Sequence, residues 1–332
     1  MTSKSLMDLP ESAALTPCFA GRSPATQGKL GPSPASGRGE ELLSPLAIGR
    51  SHRLGGEGRS PSAVAELIAS CGIPASEARA LLALALDCTR ESLIADPLRT
   101  VDAAAADRFA RMCARRRCGE PMAYLAGQRE FFGRRFLVDR SVLIPRPETE
   151  CLVEAALRQM EGRSSPRVID LGTGSGCIAI TLSLERPDAG VVATEVSESA
   201  LNVARSNARA LGAGGQFLLG SWYAPARGRF DLIVSNPPYV AAADPHLAEL
   251  GCEPRSSLTD EGDGLSCLRA IVGQAGAHLS EDGTLLVEHG YDQGAAVREL
   301  ARQSGFRSVR TLTDLAGLER VCLASRTELP SR

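Results

Sequence analysis

The sequence predicts an α/β protein built on a doubly wound sheet and preceded by a small helical segment and a short β-hairpin. After residue 150, short apolar runs alternate with stretches of helical periodicity, the order expected of a mostly parallel sheet with crossover helices. Before residue 117 the apolar residues recur at helical spacing alone, as in Val64, Leu67 and Ile68 and then Ala80, Leu81, Leu84 and Leu86. Between the two, glycines and aromatic residues take over.

Taken in order, residues 1–60 are rich in Ser, Pro, Gly, Ala and Arg and lack apolar periodicity, which predicts a disordered tail. Its acids Asp8, Glu11, Glu40 and Glu41 argue against an organelle transit peptide. Residues 61–125 are expected to form a helical domain, with Arg111, Arg115, Arg116 and Arg117 read as a solvated helix face. Residues 126–148 form the linker. There Phe131, Phe132, Phe136, Val138, Val142 and Leu143 suggest a β-hairpin, followed by a segment stiffened by Pro145 and Pro147. A helix is expected from near Thr149, at the head of a domain spanning 149–328. Its strands are predicted at 167–170, 190–194, 216–219, 231–235, 284–288 and 320–324, with helices from Cys177 and Ser199. In such sheets ligands bind beyond the carboxyl ends of the strands, so the chemistry belongs in the loops after strands one, two and four.

Composition removes several classes of function. Lys and Arg total 37 against 39 Asp and Glu, a formal charge of -2, so no general positive field gathers nucleic acid, and stable nucleic-acid binding is not expected. The ten cysteines are scattered without a CxxC pair or metal-type spacing, which predicts reduced thiols and no metal site. No apolar run approaches the roughly 20 residues needed to cross a bilayer, and no signal-peptide core opens the chain. A cytoplasmic protein without membrane contact is expected.

The segment Val168, Ile169, Asp170, Leu171, Gly172, Thr173, Gly174, Ser175, Gly176 reads as a buried strand entering a glycine-rich turn at the start of a helix. Gly174, Gly176 and Ala179 also satisfy the dinucleotide pattern GxGxxA, with Glu195 at the right distance for a ribose, so a nicotinamide dehydrogenase is one reading. Asp170 favours another, because a carboxylate ahead of the glycines suits the ammonium of a methionine moiety and repels a diphosphate. The plainer alternative for Asp170 is a capping or solvated strand-end acid. Glu195 can accept both ribose hydroxyl protons with either cofactor. Trp222, the single tryptophan, falls in the loop after the third strand and is either an apolar wall for an adenine ring or ordinary packing.

Asn236, Pro237, Pro238 and Tyr239 directly follow the fourth strand. A planar amide or amino nitrogen is a poor nucleophile because its lone pair is delocalised. A catalyst must hold both N–H bonds and leave the lone pair facing an electrophilic methyl group, and the Asn236 side-chain oxygen and Pro237 carbonyl are suited to accept those bonds. The prolines keep the acceptors in place without reorganisation, and Tyr239 can pack against the planar group. No strong base is required, since the nitrogen turns acidic only as it gains the methyl. His289, beside Glu288 at another strand end, reads as structural.

Together these residues resemble the release factor glutamine methyltransferase family. The match runs from about Pro61 to Ala324. It includes Gly127, Glu130 and Phe131, the run Ile144 to Glu150, Glu253, Pro254 and Arg255 with Asp263, Gly264 and Leu265, and Glu288, His289 and Gly290. The resemblance implies a Rossmann-like class I methyltransferase that uses S-adenosylmethionine to methylate the side-chain amide of the glutamine in the Gly-Gly-Gln loop of peptide chain release factors. It implies that the helical domain recognises the release factor. It also implies that Gly172, Thr173, Gly174, Ser175, Gly176, Glu195, Trp222 and Asn236 line the cofactor site, with Asp170 ahead of them. Three departures stand out: Glu195 where the family commonly has an aspartate, Ser221 where an acid usually precedes the position of Trp222, and the long N-terminal tail, which has no counterpart in the family pattern. The competing functions are a DNA adenine amino-methyltransferase, which would need a basic recognition region, and a non-catalytic ribosome-associated binding factor that retains only the fold.

Overall fold

A computed structural model describes residues 62–328, which fall within one compact unit. The predicted disordered tail, residues 1–60, lies outside the described residues. The chain opens with β1 (Ser62–Ala63), α1 (Val64–Ser70), α2 (Ala75–Leu86), α3 (Arg90–Ala95), β2 (Thr100–Val101), α4 (Ala103–Arg117) and α5 (Met122–Ala126). The side chains of Thr89 and Asp102 cap α3 and α4 by accepting the Ser92 and Ala105 N–H groups. A small core of Val64, Leu81, Leu82, Leu93, Val101 and Phe109 holds these helices together. Arg116 pairs with Glu77 at 2.7 Å and Arg115 with Glu120 at 2.6 Å, so this basic run is partly engaged in tying α4 to its neighbours.

Gly127, at φ 68°, ends α5 and turns the chain into the hairpin β3 (Gln128–Phe131) and β4 (Arg134–Leu137). Phe132 and Gly133, both at positive φ, make its two-residue turn. The hairpin is therefore shorter than its sequence suggested. Val142 and Leu143 lie beyond it, and Val142 joins Tyr124, Val138 and Ile144 in a separate buried cluster where the Tyr124 hydroxyl donates to the Val142 carbonyl at 2.6 Å. A single 3-10 turn, Pro147–Thr149, leads into the next helix.

The remainder alternates strands and helices: α6 (Glu150–Met160), β5 (Arg167–Leu171), α7 (Cys177–Glu185), β6 (Gly190–Glu195), α8 (Glu198–Leu211), β7 (Gln216–Leu219), β8 (Phe230–Ser235), α9 (Ser266–His278), β9 (Leu279–Glu288), α10 (Gly294–Gln303), β10 (Ser308–Thr313) and β11 (Glu319–Ser325). Six of these strands are the predicted ones, and β10 is an addition that the sequence did not show. The seven strands lie in the order β10-β11-β9-β8-β5-β6-β7, parallel except at β11, which runs antiparallel to both of its neighbours. Alternation along the central strands gives the sheet two buried faces. Val168, Leu232, Val234 and Leu286 face a core completed by α6 and α7, whereas Ile169, Leu171, Ile233, Leu285 and Val287 face one completed by α9 and α10.

Candidate active site

Strands β5 and β8 are hydrogen-bonded neighbours whose register pairs Leu171 with Ser235. Gly172 and Asn236 therefore leave the sheet side by side at its carboxyl edge. From β5 the chain winds outward through β6 and β7 and returns to β8 on the other side, so this is also where the strand order reverses. An open α/β sheet forms its ligand crevice at such a point.

The glycine turn is tied to the next strand. The Gly172 and Thr173 N–H groups donate to the Thr194 carbonyl at 2.9 and 3.0 Å. Glu195, at the end of β6, accepts the Gly174 and Ser197 N–H groups, one on each carboxylate oxygen, both at 2.9 Å. Gly172, Gly174 and Gly176 adopt φ of 73°, 57° and 84°, a region that side chains other than glycine rarely enter. A Cβ at Gly174 would meet nothing within 4 Å, whereas at Gly172 it would lie 3.2 Å from Trp222 Cζ3. The indole thus rests against the turn while packing on the α9/α10 side of the core.

Asp170 is wholly buried. One carboxylate oxygen accepts the Thr173 hydroxyl at 2.6 Å and the Ala179 N–H at 3.2 Å. Ala179 lies in the first turn of α7, so Asp170 does cap that helix. Its other oxygen is buried without a hydrogen-bond partner. Burial raises the carboxyl to about 7, opposed by those two hydrogen bonds and assisted by the charge of Glu195.

Beside this turn, the Asn236 side-chain N–H donates to the Thr149 hydroxyl at 3.1 Å, which leaves its carbonyl oxygen for another donor. Pro237 is buried, and Pro238 and Tyr239 are half-buried. The Tyr239 hydroxyl donates to Glu288 at 3.1 Å, and its carbonyl accepts from the Gln293 amide at 2.8 Å. Burial, with Glu288 adding, pushes the phenol well above its ordinary range. Beyond Tyr239, the Val240 N–H donates to the Leu258 carbonyl and the Ala242 N–H to that of Gly262, both at 2.9 Å. The supporting loop is knotted around Asp260, which accepts the N–H groups of Gly262, Gly264 and Ser266. Glu253 is buried and accepts the Ile144 N–H at 3.0 Å and the Arg146 guanidinium at 2.5 Å, clamping the linker to this side of the sheet.

Thr149, Glu288, Gly264 and Gln293 are site residues that motif reading did not assign. Thr149, Gly264 and Glu288 stand inside the runs that carry the family resemblance, and Glu288 also ends a strand at the same sheet edge as Glu195. Gln293 carries no comparable signal. His289 is buried with its Nδ1 2.8 Å from the Gly290 carbonyl, and burial lowers its pKa, so it stays neutral and structural.

A glycine turn and an Asn-Pro-Pro-Tyr loop on adjacent central strands of this sheet define a class I methyltransferase. The chain matches the family described as "Methyltransferase small domain" over residues 149–312 and the one described as "PrmC N-terminal domain" over residues 62–127. It is 52% identical to the release factor glutamine methyltransferase of Burkholderia pseudomallei over 281 residues, covering 82% of this chain and 98% of that one. The enzyme of that name from Bordetella pertussis is 50% identical, covering 77% and 96%, and that from Neisseria gonorrhoeae is 49% identical, covering 76% and 93%. The chain belongs to the release factor glutamine methyltransferase family.

The methyl donor of this class is S-adenosylmethionine, and the residues fit it. The open face at Gly174 admits a ligand against the backbone, the unpartnered Asp170 oxygen suits an ammonium, and the indole at Gly172 offers an apolar wall. Among the described residues, no helix is long and apolar enough to cross a membrane, and no cluster of His, Cys, Asp and Glu forms a metal site.

Proposed function

We propose that this chain methylates the side-chain amide nitrogen of the glutamine in the Gly-Gly-Gln motif of peptide chain release factors, acting in the cytoplasm. The observation that carries the reading is the Asn236 amide. Its nitrogen is committed to Thr149, and its oxygen is left to accept from a substrate N–H beside the glycine turn. In this reading Asp170, Gly172, Thr173, Gly174, Ser175, Gly176, Glu195 and Trp222 hold S-adenosylmethionine, which supplies an electrophilic methyl carbon on its sulfonium. Asn236 and the Pro237 carbonyl accept the two N–H bonds of the glutamine amide, turning its lone pair toward that carbon. Pro238 and the bonds to Gln293 hold the loop, so the acceptors need no rearrangement as charge develops. As the N–C bond forms, the bond from the methyl carbon to sulfur breaks with its electron pair left on sulfur; the nitrogen becomes acidic, and its proton leaves to water or to one of these acceptors. The helical segment over residues 61–125 is assigned to recognising the release factor, with 126–148 as linker and 149–328 as catalytic domain. Stable binding of nucleic acid or membrane is not part of this function.

Mass spectrometry of a release factor incubated with the enzyme and methyl donor tests the reading. One methyl group is expected on the glutamine of the Gly-Gly-Gln peptide. Asn236→Ala should lower turnover about a hundred- to a thousandfold, the scale of losing one preorganised hydrogen-bonding group, while calorimetry still detects cofactor binding. Methyl transfer to duplex DNA and none to the release factor would refute the proposal.

A further inference from the structure

A side-chain amide presents either its oxygen or its nitrogen, and the two orientations have nearly the same shape. Asn236 is useful as an acceptor only when its nitrogen faces Thr149. Thr149 does not impose this by itself, because a hydroxyl can accept from the nitrogen or donate to the oxygen. Glu288 breaks the symmetry. It is fully buried at the carboxyl end of β9 and accepts the Tyr239 hydroxyl at 3.1 Å. The Thr149 hydroxyl lies beside this carboxylate and favours its charged form, and the carboxylate oxygen that Tyr239 does not use is buried without a hydrogen-bond partner. An ionised carboxylate only accepts. It draws the single Thr149 proton to itself, leaving lone pairs for the Asn236 nitrogen.

We propose that Glu288 is a positioning residue for methyl transfer, setting through the Thr149 hydroxyl which end of the Asn236 amide faces the reacting nitrogen and holding Tyr239 through its own hydroxyl. The proposal rests on the amide-methylation reading above. The groups facing Glu288 are Thr149, Tyr239, Arg320 on β11, which favours the charged form, and Glu148, which opposes it. The thiols of Cys151 and Cys177 also lie within its field, and burial raises both. Burial raises Glu288 itself to about 7. A protonated Glu288 donates to Thr149 and frees the hydroxyl proton for the Asn236 oxygen, the orientation that presents the wrong end to substrate.

Turnover with the release factor should therefore fall as pH drops through about 7. Glu288→Gln, which can donate, should lose about tenfold in kcat, the size of one misdirected hydrogen bond. KM and the cofactor Kd should stay within about twofold, and with cofactor saturating at every pH, so that Asp170 does not contribute, the acid limb should vanish. Thr149→Val should show the same loss, and Thr149→Ser should restore turnover. Independently of catalysis, the Asn236 side-chain NH₂ resonances in the ¹⁵N-labelled protein should titrate near neutral pH in the wild type and not in Glu288→Gln. If Glu288→Gln does not fold, the Thr149 pair and the wild-type titration decide. Wild-type turnover and pH profile in Glu288→Gln, equal damage in both Thr149 variants, or Asn236 resonances indifferent to pH would each overturn the proposal. Failure of the wild type to methylate any release factor would overturn the functional reading instead, and the resonance titration would still report on Glu288.

Discussion

Replacing Asp170 by asparagine separates what the fold tolerates from what the cofactor requires. The buried carboxyl titrates at about 7 in the folded chain against an ordinary 3.8. Between those values the folded state retains a proton that the unfolded state has released. Stability is therefore fully present below the ordinary pKa and falls by about 1.4 kcal/mol for each pH unit until the folded pKa is passed. Between about pH 5 and pH 8 the loss is on the order of 3 kcal/mol. The amide introduced by Asp170→Asn has no such proton. Its oxygen can still accept from Thr173 and Ala179, while its nitrogen becomes a buried donor in place of the unpartnered oxygen, at a cost of about 1–3 kcal/mol. Near pH 5 the variant should be as stable as the wild type or slightly less. Near pH 8 it should be more stable by about 1–3 kcal/mol. Urea unfolding of the cofactor-free protein at both pH values measures the difference, and Glu288, which titrates in both proteins, cancels. Calorimetry should show weakened cofactor binding at pH 8. A stability difference that does not change with pH would refute the assignment of a raised pKa to Asp170.

Two further substitutions probe the supports of the Asn236 loop. A Cβ at Gly264, where φ is 76°, would collide with the Tyr239 carbonyl and lie 3.0 Å from the Gln293 amide. Gly264→Ala should lose about 1–3 kcal/mol in thermal unfolding and lower kcat with cofactor affinity kept; unchanged kcat would show that the loop adjusts freely. Glu253→Ala leaves the Ile144 N–H and Arg146 without their acceptor and should lose about 1–3 kcal/mol in urea unfolding. Glu253→Gln keeps an acceptor and should lose less, and equal losses would point to packing rather than hydrogen bonding.

The parallel sheet is legible in the sequence because its strands are buried on both faces and read as nearly continuous apolar runs, as in Val168, Ile169 and Leu171, broken only by the buried Asp170, and in Leu232 to Val234. Strand β10 is not, since Ser308 to Thr313 is only half-buried and Arg310 interrupts its pattern. The sequence overextends the hairpin because Val142 and Leu143 look like strand residues, whereas the turn at Phe132 and Gly133 sets how many residues can pair. The glycine turn and the Asn236 loop announce themselves because their chemistry depends on residues close in sequence. Thr149 and Glu288 reach Asn236 and Tyr239 from 87 and 49 positions away, and only the folded sheet brings them together. For Asp170 the sequence offers either a ligand group or a helix cap; one oxygen caps α7, and the other is buried without a hydrogen-bond partner.

The pairing of Leu171 with Ser235 separates two kinds of evolutionary freedom. Neighbouring strands in a hydrogen-bonded ladder sit about 4.8 Å apart, so the spacing of the two strand ends from which the glycine turn and the Asn236 loop depart is inherited from the sheet, and the loops only refine it. Exchanging one target protein for another can then proceed by rewriting distant surface without retuning the reaction. A lineage of such enzymes is expected to diversify at its periphery while this central pair of strands stays fixed.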